Sequence, residues 1–207
     1  MPALEVSERT EQRARNLIAF IARARSWPSL RALPYFLPST AALTTDSISA
    51  LRTGLLGSES QHVGNAAEAI VGWAKLVRNG ALPEVPRSLV ERLIAAIEAR
   101  RAIGLSAMLA AARSLLELGV LEEEDLKRLR ETISEIRREV RYEDVALDTM
   151  DAVSASLVRA QCVRLAVTLK DRVPDDGSLQ AWIDEASVDS LPEVRFSLME
   201  PSEDNPE

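Results

Sequence analysis

One cysteine and one histidine are all that this 207-residue chain offers to disulfide, thiol or metal chemistry. A lone Cys162 cannot close an intramolecular disulfide, and His62 alone makes no Cys/His cluster for zinc. No cofactor is expected, and a reducing compartment is. The flanks of Cys162, SLVRAQCVRLAV, are aliphatic, which predicts a small core filler and not a nucleophile. Aromatic residues are scarce too, three Trp, two Tyr and three Phe, so the core must be built from Leu, Ala, Val and Ile. That is the material of helical proteins. No apolar run approaches the roughly 20 residues that cross a bilayer, since AIGLSAMLAAA, residues 102–112, is about half of one span. The opening MPALEVSERTEQRAR is charged almost at once, so a secretory signal is not expected and a soluble, cytoplasmic chain is.

Catalytic signatures are missing as well. The eight glycines are scattered, with no phosphate-cradling loop after a strand. His62 has no serine or cysteine elbow to serve, so no triad can be drawn, and a surface or capping role at a helix start is expected of it. A net charge of −7 speaks against a surface that tracks a phosphate backbone throughout.

What is present is helical rhythm. Residues 7–25 carry Leu17, Ile18, Phe20 and Ile21 as an apolar stripe and read as a first helix. Pro28, Pro34 and Pro38 then rule out one long helix and predict short helical turns that fold back. From Asp46 a paired pattern begins. DSISALRTGLLG, capped by Asp46 or Ser47 and stopped by Gly57, precedes ESQHVGNAAEAIVGWAKLVRNG, closed by Asn79 and Gly80. RSLVERLIAAIEARR and IGLSAMLAAARSLLELG repeat the pair, the second ended by Gly119. Third and fourth pairs read as EEEDLKRLRETISEIRREV with DAVSASLVRAQCVRLAVTLKDR, and SLQAWIDEA with LPEVRFSLM. The acidic tail EPSEDNPE, residues 200–207, is expected to be disordered.

The second helices of these pairs can be overlaid. Val63, Ala67 and Ile70 correspond to Ile103, Ala107 and Ala110, then to Val158, Cys162 and Leu165, then to Val194 and Leu198. The intervals Val63 to Ile103 and Val158 to Val194 fall near the period of stacked helix pairs, and the longer one between them contains RYEDVALDTM. SLVRAQCVRLAV and SLPEVRFSLM share a Val-Arg dipeptide, and in this they resemble the second helix of HEAT-type (armadillo-like) repeats over residues 46–199. The first two copies depart from that pattern, with Gly64 and Gly104 in place of the arginine. The resemblance implies an all-α fold, a short right-handed α-solenoid of HEAT-like helix pairs whose second helices line a concave face. Residues 1–45 would form an N-terminal helix with a Pro- and aromatic-rich cap. An irregular helical bundle with an Ala-rich interface is the alternative.

Two groupings suggest binding. Arg9, Arg13, Arg15, Arg23, Arg25 and Arg31 accompany Trp27, Tyr35 and Phe36, a composition shared by protein hot spots, nucleic-acid stacking platforms and the buried caps of repeat arrays. Arg159 and Arg164 lie in the third second-helix, on the face the resemblance makes concave. The expected function is therefore a non-enzymatic protein-interaction module, with Arg159, Arg164, Trp27, Tyr35 and Phe36 as candidate contacts and a protein as partner. One alternative is a nucleic-acid-binding protein of the DNA-alkylation-repair type, drafting Asp148, Asp151, Trp73 and Trp182. Asp148 and Asp151 also suit helix capping. Another alternative is the C-terminal regulatory region of a larger bacterial enzyme.

Overall fold

The computed structural model describes residues 8–23, 27–39, 44–99, 104–139, 150–170, 172–173 and 177–199. Among these residues the chain is all helical, with no strand. The helices are α1 (Glu8–Arg23), α2 (Trp27–Phe36), α3 (Thr44–Gly54), α4 (Ser60–Arg78), α5 (Arg87–Glu98), α6 (Leu105–Leu118), α7 (Glu123–Glu139), α8 (Met150–Lys170), α9 (Gly177–Ser187) and α10 (Pro192–Phe196). A 3-10 turn, Leu37–Ser39, extends α2, and Pro34 sits inside that helix. None of the described helices is long and apolar enough to cross a membrane. Two compact units result, Met1–Leu121 and Glu122–Glu207. The boundary expected between residues 45 and 46 falls inside α3, and the tail 200–207 lies outside the described residues.

Unit 1 is organised around α4. Its small and aliphatic residues, Val63, Ala66, Ala67, Ala69, Ile70 and Ala74, are all buried, because helices cover it from several sides. It packs against α2, α6 and α3. The contacts form two rows: α1 touches α3 and α3 touches α5, while α2 touches α4 and α4 touches α6. Residues with little or no side chain let these helices approach. A Cβ on Gly54 would lie 2.8 Å from the Ala66 Cβ, and one on Gly104 would lie 2.6 Å from Val63 Cγ1. Gly104 also has φ +70°, a left-handed conformation that disfavours any side chain.

The stops read in the sequence operate through backbone geometry. Gly119 at φ 76° ends α6, with its N–H on the Leu116 carbonyl (3.0 Å) and the Val120 N–H on that of Leu115 (3.3 Å). After α4 the Trp73 indole N–H donates to the Glu84 carbonyl at 2.9 Å, which ties the connection to α5 onto the buried side of the helix.

Three expectations need correction. His62 is not a surface residue: it is buried in the first turn of α4, where Gly54 at the end of α3 and Gly57 in the following turn make room for its ring. A Cβ on Gly57 would meet His62 Nδ1 at 2.9 Å. Asp46 falls in the first turn of α3, which begins two residues earlier at Thr44, so it is not the cap. In α6 the overlaid residues Ala107 and Ala110 are only half-buried; Leu105, Met108, Leu109, Ala111, Ala112, Leu115 and Leu116 face inward instead, and Ile103 lies outside the described residues. Bulkier leucines and methionine gain more from burial than the alanines and so set which face turns in.

Unit 2 is organised around α8, which contacts α7, α9 and α10. Its apolar core joins Leu129, Ile133 and Ile136 of α7 to Val158, Val163, Leu165 and Leu169 of α8 and to Leu179 and Trp182 of α9. The charge-alternating α7 is thus amphipathic, with a solvated face opposite this stripe. One acid on it turns inward. Asp125 is fully buried and its Oδ2 accepts the Glu122 N–H at 3.0 Å, satisfying a backbone donor at the entrance to α7.

Candidate interaction sites

In unit 1, α2 and α4 leave an open groove of about 380 Å³ between them. Its floor is low because Gly72 and Ala32 line it, and the ring of Tyr35 rests where a Gly72 side chain would be, its Oη 3.0 Å from the position of a Cβ. Tyr35 is nonetheless 56% exposed. At one end Arg31 Nη1 donates to Glu68 Oε2 at 2.9 Å, an exposed pair, and Lys75 lines the groove as well. Of the amino-terminal arginines, Arg15 also has an acid near it, Asp46, at 3.8 Å. Trp27 and Phe36 are the first and last residues of α2, and their side chains lie outside the described set.

In unit 2 charged groups enter the interior. Arg159 Nη2 lies 2.5 Å from Asp189 Oδ2, and the Asp189 side chain is only 2% exposed. Asp189 Oδ1 accepts the Leu191 N–H at 2.9 Å, an Asx-type turn leading into α10, and Arg195 donates to the Asp189 carbonyl. The Ser156 hydroxyl of α8 donates to Glu193 Oε2 at 3.2 Å, a second polar tie between α8 and α10. Arg137 of α7 lies over the Trp182 ring, 5.2 Å from its centroid, and pairs with Glu185 one turn further along α9. Burial, and then the nearby charge of Arg159, hold the Arg137 guanidinium below its ordinary range. Burial likewise pushes the Cys162 thiol up to about 12, so it is no thiolate nucleophile at neutral pH.

The residues singled out in the sequence are thus distributed over both units. Tyr35 belongs to unit 1, Arg159 and Arg164 to unit 2. Five positions apart on α8, the two arginines point about 140° from one another around the helix. Trp73 is a buried core residue of unit 1, whereas Trp182 belongs to unit 2; Asp148 and the Asp151 side chain lie outside the described residues. Among the described residues no group of three or more His, Cys, Asp or Glu side chains is placed to hold a metal.

Sequence reasoning did not single out Asp189, Arg137 or Glu185. Asp189 had a signal, an Asp three residues before a helix-starting Pro192, which is turn chemistry. Arg137 had none, because its partners are on another helix. Compared with models of protein families, with curated proteins and with solved structures, the chain matches none.

Proposed function

We propose that the protein is a non-enzymatic interaction module, a short array of HEAT-like helix pairs that recognises a protein partner by shape and a few anchoring side chains. The observation that carries this reading is Tyr35. A tyrosine more than half exposed, set in a groove floored by Gly72 and Ala32 and lined by Arg31 and Lys75, has the composition of a binding hot spot. Its ring is already braced against α4, so little side-chain freedom remains to be lost on binding. The two rows of contacts in unit 1 support the repeat reading, since stacked helix pairs bring first helices against first and second against second. In that arrangement α1 and α2 act as the first pair, and α2, with Tyr35 near its end, belongs to the row of second helices.

A photo-crosslinking amino acid at position 35, introduced into the full chain in its native host, tests the reading. A single polypeptide should crosslink there, and the same probe at exposed Ala95 on α5 should not capture it. Equal crosslinking at both positions, or none at 35, contradicts the groove as a docking site.

A further inference from the structure

A second recognition point lies in unit 2, independent of the Tyr35 groove. We propose that the Arg137 guanidinium, laid against the Trp182 indole, is a docking point for carboxylate side chains of an acidic partner peptide, and that Glu185 occupies it in the free protein.

Several observations converge. The Arg137 guanidinium lies over the Trp182 ring and its side chain is 31% exposed, so the indole restricts where its donors can point before any ligand arrives. Glu185, its partner, is 62% exposed, and an ion pair so exposed contributes little to folding. Such a pair is cheap to exchange for another carboxylate. Arg159 adds a second positive charge nearby, and its own acid, Asp189, is committed on both oxygens, one to Arg159 and the other to the Leu191 N–H. Asp189 therefore cannot swing out to serve Arg137. The local field favours a further negative group, and Glu185 is the flexible, solvent-facing acid that answers it. Trp and Arg are both enriched at binding hot spots, and an indole over the face of a guanidinium leaves the in-plane N–H groups for charge-assisted hydrogen bonds to a carboxylate.

The measurement is fluorescence anisotropy of a labelled hexaglutamate peptide, capped at both ends, titrated with the full chain. Physiological ionic strength, with a Debye length of about 8 Å, screens the net charge of −7 that otherwise repels the peptide at long range. Glu185→Gln removes the internal competitor from an exposed position, so it leaves the fold intact and should tighten binding by about tenfold. Arg137→Lys should weaken that binding, and Arg137→Gln in the Glu185→Gln background should abolish it while circular dichroism stays unchanged. Absence of binding to both the wild-type and the Glu185→Gln chain overturns the proposal. So does binding that Arg137→Gln leaves intact, or free glutamate displacing the peptide at equal concentration. The Tyr35 reading survives any of these results, since Tyr35→Ala should not alter hexaglutamate binding.

Discussion

Units 1 and 2 each enclose one long helix, α4 with 19 residues and α8 with 21, but they enclose it in different ways. Around α4 the contacts are mostly apolar and close, although the buried His62 and the Trp73 indole N–H are polar. Glycines and alanines set the distances, and ion pairs such as Arg31–Glu68 and Arg87–Glu91 stay on the outside. Around α8 the contacts include a buried carboxylate, Asp189, held by Arg159, and a hydroxyl–carboxylate bond from Ser156 to Glu193. Close apolar packing tolerates no added atom but contains no charge to lose. A buried ion pair tolerates shape changes at its rim but not the removal of one partner. A central helix of similar length is thus made specific by sterics in one unit and by charge in the other.

The largest expected effect comes from breaking the ionic unit. Asp189→Ala removes the buried carboxylate that faces Arg159 and accepts the Leu191 N–H, and should cost unit 2 about 3 kcal/mol, read from chemical denaturation. Gly104→Ala is the steric counterpart. Its Cβ would collide with Val63 in a left-handed backbone, with an expected cost to unit 1 of about 2 kcal/mol. A graded effect in unit 2 is alkaline. Cys162 titrates near 9.0 when unfolded and about 12 when folded, so its contribution is fully present below pH 9 and is lost as pH rises toward 12. Between pH 9 and 12 stability should fall by about 1.4 kcal/mol for each pH unit, and Cys162→Ala should remove that part of the slope. Trp73→Phe deletes both the N–H to Glu84 and part of the buried indole volume, and should cost at least about 1 kcal/mol. Glu68→Gln, at an exposed pair, should change stability by less than about 0.5 kcal/mol, which sharpens the point that unit 1 does not depend on its charges.

Much of the helical layout was legible because it is written in local signals. Gly119 and Gly80 mark stops through positive φ, Pro28 falls at the start of α2 and Pro38 just past its end although Pro34 lies inside it, and the i, i+3, i+4 spacing marks α4 and α5. The inward face of α6 was not legible from overlaying small residues, because Leu109 and Leu116 compete for burial with Ala107 and Ala110 and win on apolar area. Tyr35 could be named as a candidate from its composition context, but its exposure depends on Gly72 lying opposite, a tertiary fact. Arg159 stands out by its charge, yet the acid it meets, Asp189, is thirty residues away at the α9–α10 turn, and Arg137 meets Trp182 only once α7 and α9 have packed. Pairings across that separation leave no trace in a single sequence, whereas caps and stops do.

The most direct test of steric against ionic cohesion is residue-resolved amide hydrogen exchange of the Asp189→Ala chain beside the wild type. Amides of α7 to α9 should lose protection while those of α4 and α6 keep theirs. Equal loss in both units, or full protection around α8 without the Asp189 carboxylate, would contradict the account.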